Sequence, residues 1–186
     1  MNLSPLSFCS LSKPTQIMNT LTENPTLSQT DLLVKIALSN WQAQNTRVDK
    51  LLESLSDEQL KKEIAPGKNT GIYLLGHLVA TNDALLPLFG LGDKLYPELQ
   101  SLFQTTPDKS GLPFPSIIEL KKYWKEINEK LIQNFNEFTA SDWLGKHTAV
   151  SEEDFIKEPH RNKMNVLISR SIHEGYHLGQ LILLKK

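Results

Sequence analysis

His173 and His177 stand four residues apart in the apolar segment HEGYHLGQLILL, and His77 sits in a second apolar segment, IYLLGHLVATNDALL. Residues i and i+4 lie on one face of a helix, a turn apart, so two imidazoles there can converge on one ion. Imidazole is costly to bury without a partner, and a divalent metal is a common one. Two readings follow. The rings are core histidines satisfied by neighbouring groups, or they are ligands. A pair at i and i+4, joined by a third histidine on another inward helix face, favours ligands: His77, His173 and His177.

The string His173-Glu174-Gly175-Tyr176-His177 matches the HExxH pattern of zinc proteases, where the glutamate is the general base. Those enzymes need a third ligand, commonly downstream. The nine residues after His177 contain no His, Asp, Glu or Cys, so the third ligand is expected upstream, at His77. Glu174-x-x-His177 also fits one half of a di-iron carboxylate site, but no second Glu-x-x-His accompanies it. Glu174 lies about 100° round the helix from His173. It is the candidate base, with an outer partner of the metal or a structural carboxylate as the other readings. Gln180, one turn past His177, either bonds near the site or faces solvent. His147 and His160 fall in a polar stretch and are read as exposed loop residues. Gly175 and Gly179 in the last helix, and Gly76 beside His77, are expected to permit close helix approach near the histidines, since mid-helix glycine costs about 1 kcal/mol against alanine.

These residues must be positioned by helices. From about Ser28, Leu32, Leu33, Ile36, Leu38, Val48, Leu51, Leu52 and Leu55 form an apolar stripe at helical spacing. A short helical turn begins at Ser56 and ends at the Pro66-Gly67 break. Asn69 or Thr70 opens a helix to about Phe89. Its inward face carries Tyr73, Leu74, His77, Thr81, Leu85 and Leu88. A Gly- and Pro-rich stretch follows, in which YPELQSLF can form a short helix. Ser116 and Glu119 make a capping box for the next helix, with Ile117, Leu120, Trp124, Ile127, Leu131 and Phe135 at spacings of three and four. A polar segment runs from Thr139 to His160, and the last helix spans about Asn162 to Leu184. Val166, Leu181 and Leu184 share the face of its histidines. Trp41, Trp124 and Trp143 read as core anchors. No segment alternates with period two. Four long helices with a long connection between the second and third predict an all-α, four-helix bundle.

The 186 residues allow one domain with a real core, over residues 28–186. Residues 1–27, rich in Ser, Thr, Asn and Pro, read as a disordered leader in which Met18 offers a second start. The formal net charge of -1 gives no field to recruit nucleic acid or anionic membrane. No apolar run reaches the roughly 18 residues that a membrane span needs. Cys9 is the single cysteine, which excludes an internal disulfide and a cysteine-rich zinc site and fits a cytoplasmic protein.

GHLVATNDALL together with HEGYHLGQL resembles the DinB-like superfamily, also called YfiT-like, over about residues 28–186. The resemblance implies an up-down-down-up four-helix bundle with a long crossover between helices two and three. It implies a divalent transition metal on three histidines, zinc or nickel first, then iron or manganese. The matching positions are His77, His173 and His177. It also implies a homodimer. Activities in the family include transfer reactions that use low-molecular-weight thiols such as bacillithiol, mycothiol or glutathione.

Three nitrogen ligands leave a coordination position open, which suits catalysis. Such an ion polarises a substrate oxygen, lowers the pKa of bound water to about 7, or holds a thiolate. The expected function is therefore a metal-dependent enzyme acting on a small molecule, of thiol S-transferase or hydrolase type, with Glu174 as its base. The competing expectation is a non-catalytic metal- or ligand-binding bundle or a dimerisation module.

Overall fold

Serine, threonine and asparagine caps mark where the helices start. The computed structural model describes residues 27–185; the expected leader and Cys9 lie outside them, apart from Leu27. Helix α1 (Gln29–Ser54) begins where the Ser28 hydroxyl accepts from the Asp31 N–H. Helix α2 (Asp57–Leu60) is a single turn closed by a Ser56–Gln59 capping box. Helix α3 (Gly71–Asp83) is capped by Thr70 and runs on through Ala84 into α4 (Leu85–Phe89). Gly90, at φ 75°, ends this rod in the left-handed conformation that glycine adopts without strain. The predicted short helix near 96–103 appears as a π-helical turn, Ser101–Thr105. Helix α5 (Ile117–Glu137) carries the predicted Ser116–Glu119 box. The polar segment holds two short helices, α6 (Ala140–Leu144) and α7 (Glu152–Lys157). Asn162 caps α8 (Lys163–Leu181), which tightens into a 3₁₀ turn at Ile182–Lys185.

The expected all-α fold is observed, with isolated bridges but no strand among the described residues. Helix α8 packs against α1 and α3, and α3 packs against α5 and the π-helical turn. Enclosed leucines from three of the long helices fill the space between them: Leu74, Leu75 and Leu78 from α3, Leu120 and Leu131 from α5, Leu167 and Leu181 from α8. Each contributes about 2 kcal/mol by leaving water. Trp41, Phe89 and Trp143 converge on Phe135, with ring centroids 5.0 to 5.5 Å from it.

Two expectations need correction. The α1 stripe is buried only in its second half: Val48, Leu51, Leu52 and Leu55 are in the core, while Leu32, Leu33 and Ile36 are 50%, 67% and 50% exposed. The first turns of α1 instead edge an apolar groove shared with Ile168 and Ile172 of α8. The chain also does contain a segment, Gly71–Phe89, with the length and composition of a membrane span. Of its most apolar window, 72% is buried inside the protein, so its apolarity serves the core.

Candidate metal centre

Helices α3 and α8 pack directly, and they bring the three histidines to one point. His173 Nε2 lies 3.1 Å from His77 Nε2 and 3.0 Å from His177 Nε2. One nitrogen from each residue falls within 4.8 Å of the others. The rings stand edge to face or tilted rather than stacked, so their nitrogens point at a shared centre.

Outer hydrogen bonds fix the tautomers. His77 Nδ1 donates to the Phe103 carbonyl at 2.7 Å, and His177 Nδ1 donates to Gln180 Oε1 at 2.7 Å. With those protons on Nδ1, both Nε2 atoms present lone pairs. Metal-binding histidines show this arrangement, in which the outer bond orients the ring and raises its basicity. His173 has at most one Nε2 proton to share between two facing lone pairs, and its Nδ1 is buried without a partner among the described residues. Burial, then the facing His177 and His77, push its pKa down to about 4, so the ring is neutral at pH 7. Burial lowers that of His177 too. Nitrogens about 2.0–2.1 Å from a tetrahedral ion stand about 3.3 Å apart. The donor set and its spacing therefore fit a divalent transition metal.

The carbonyl on His77 comes from the π-helical turn, a distortion frequent at functional sites. Gly76 lets that turn approach: a Cβ there would lie 2.3 Å from the Phe103 ring. The expected close packing near the histidines thus holds at Gly76. It does not hold at the other two. A Cβ on Gly175 would meet only Gln44 at 3.7 Å, and one on Gly179 would meet nothing within 4 Å. Both face away from the α3 contact.

Glu174 is not brought into the cluster. It is 0% exposed, and its Oε1 accepts from Asn82 Nδ2 at 2.9 Å. Asn82 Nδ2 also donates to Asn128 Oδ1 at 2.9 Å. With its amide turned to donate, Asn45 reaches both Glu174 oxygens at 3.2 Å. One residue from each of α1, α3, α5 and α8 thereby joins a buried polar layer, in which Asn82 Oδ1 and Asn128 Nδ2 have no partner among the described residues. Burial raises the Glu174 carboxyl to about 7, against the pull of its Asn82 bond and of Arg170. His160 is exposed as expected, whereas His147 is half-buried, with an enclosed Nδ1 that lacks a partner among the described residues. The structure brings neither to the cluster.

Sequence reasoning missed three contributors. Phe103 acts through its carbonyl, which no side-chain pattern signals. Asn82 and Arg170 carried a usable signal, being polar residues at inward helical positions.

A model of the DinB superfamily matches residues 40–181. The chain belongs to the DinB superfamily. No curated protein matches it at a significant level. All three histidines fall inside the matched DinB region, on the two helices that form the site.

Proposed function

We propose that this DinB protein is a metal-dependent enzyme acting on a small molecule, of thiol S-transferase or hydrolase type. One observation carries the reading: three Nε2 atoms converge while outer acceptors hold two of the rings in the ligating tautomer. A divalent ion held by His77, His173 and His177, zinc or nickel before iron or manganese, supplies Lewis acidity and an open coordination position. The Phe103 carbonyl and Gln180 keep the ligand rings aimed. Among the described residues there is no cysteine, so a thiol nucleophile arrives with the substrate. The reaction belongs in the cytoplasm, where such thiols are kept reduced.

Metal analysis is the first test. The purified chain is expected to hold about one transition metal, lost in His77→Ala and His173→Ala. A chain that binds none would overturn the reading. The second test incubates metal-loaded protein with bacillithiol or glutathione and monochlorobimane. Conjugate formation supports S-transfer; metal without conjugation or hydrolysis supports a non-catalytic metal-binding bundle. Glu174→Gln separates two roles for the enclosed carboxyl. A base role removes a limb of the pH profile of kcat, whereas positioning of α8 against α3 leaves that profile in place.

The oligomer in this reading is a homodimer. Its support is the exposed apolar face made by Leu33 and Ile36 of α1 with Ile168 and Ile172 of α8, lining a groove of about 720 Å³. Ile172→Glu is expected to shift the protein to a monomer in sedimentation.

A further inference from the structure

Arg170 is a half-buried residue on α8, three residues before His173, four before Glu174 and seven before His177. Those spacings put it on the helix face that looks into the protein, one turn from the histidines. Its Nε is buried without a hydrogen-bond partner among the described residues. No described carboxylate comes within 4.0 Å of its guanidinium; the ion pairs among the described residues lie elsewhere. Glu174, the carboxylate one turn on, is taken by Asn82.

A guanidinium whose Nε is buried without an acceptor, and whose nearest counter-charge, Glu174, is bonded to Asn82, is poorly satisfied. Guanidinium stays charged at neutral pH, so this is not relieved by losing a proton. Burial does push its pKa down, opposed by Glu174. The field of Arg170 reaches the site, where it disfavours a proton on His173. An arginine in this state, one helical turn before His173, has the chemistry of a clamp: planar, with paired donors matched to a carboxylate.

We propose that Arg170 is the anion-binding residue of the three-histidine site, and that the substrate carries a carboxylate or similar oxyanion. This rests on the metal-dependent reading above and adds the class of substrate. The reacting group occupies the metal's open position while the charged group is held one helical turn away. Binding by two points in this way fixes orientation as well as affinity.

The test uses the full chain loaded with cobalt, because thiolate coordination to cobalt gives a charge-transfer band that needs no turnover. The probes are 3-mercaptopropionate and its neutral counterpart 3-mercaptopropionamide, with 2-mercaptoethanesulfonate as a non-carboxylate anion. The wild-type chain is expected to bind 3-mercaptopropionate roughly 10- to 100-fold tighter than the amide, the value of a charge-assisted hydrogen bond. Arg170→Gln is expected to remove that preference by weakening only the anions, and Arg170→Lys to keep part of it. The sulfonate tells whether carboxylate alone or any oxyanion is held, and preference for either anion over the amide supports the proposal. Equal affinity for anion and amide in the wild type would overturn it, with no variant required. So would an Arg170→Gln chain that weakens all probes alike. A chain that takes up no cobalt overturns the metal reading and this inference together; one that takes up cobalt without discriminating overturns this inference alone.

Discussion

His173 and Glu174 are adjacent in the chain, yet they belong to two different polar layers of the α3–α8 contact. The histidine layer is half-buried, and its nitrogens face one another with more lone pairs than protons. The Glu174 layer is enclosed and links one residue from each long helix, with Asn82 Oδ1 and Asn128 Nδ2 left over among the described residues. Converging nitrogens with unshared lone pairs mark a place for a ligand. Amides and a carboxyl that bond to one another across four helices mark a structural device, since such a buried network fixes which helices meet and in what register. The two residues diverge because consecutive side chains on a helix point about 100° apart.

Breaking each layer in turn should separate metal binding from stability. His173→Ala is expected to lower metal affinity by at least about 100-fold, the upper end of what loss of an outer partner costs. The melting temperature of the metal-free protein should move by no more than roughly 3 °C, because a desolvated, half-satisfied ring is being removed. Competition with a chromophoric chelator and a thermal scan measure both. A large fall in metal-free stability would erase the distinction between the layers.

Asn82→Ala should do the reverse. It strips a donor from Glu174 and from Asn128 at once, costing about 1–3 kcal/mol in urea unfolding. The folded fraction should still take up about one metal. Loss of metal from well-folded protein would show that the polar layer belongs to the site.

Gly76→Ala probes the bridge to the π-helical turn. Overpacking against the Phe103 ring is expected to cost about 1–3 kcal/mol. Metal affinity should fall as well, because the carbonyl that orients His77 moves with the ring. Unchanged affinity would show that this carbonyl does not orient the ligand.

The smallest effect is a pH slope. In the metal-free protein burial raises Glu174 from 4.5 to about 7, so the folded state holds that proton more tightly than the unfolded chain. Its contribution is full below pH 4.5 and is lost as pH rises through about 7. His173 acts oppositely: lowered from 6.5 to about 4, it contributes fully above 6.5 and less as pH falls towards 4. Glu174→Gln should therefore flatten the fall in stability on going up from pH 4.5 to about 7 while leaving the acid-side loss in place. An unchanged slope would mean that the carboxyl is not raised in solution.

Much of the fold was legible because helix signals are local. Ser28, Thr70, Ser116 and Asn162 each cap the helix that the sequence assigned to them or near them. The face of His77 was legible too, because Tyr73, Leu74, Thr81 and Leu85 repeat at helical spacing and are buried together. The exposed start of α1 was not legible: Leu33 and Leu52 look alike in a periodic stripe, and only the position of neighbouring helices decides which is covered. Gly175 and Gly179 misled for the same reason, since a glycine shows that an approach is possible, not that a partner stands there.

By itself the sequence determined the helices, their caps, the candidate ligand types and the pairing of His173 with His177. These follow from spacing along one helix and need no distant partner. Tertiary structure decided what depends on pairs far apart in the chain. It set His77 against the pair across 96 residues and put the Phe103 carbonyl on its ring. It enclosed Glu174 behind Asn82 and left Arg170 Nε without a bonded acceptor among the described residues. Such partners are chosen by how helices pack, and packing is a property of the whole core rather than of any segment.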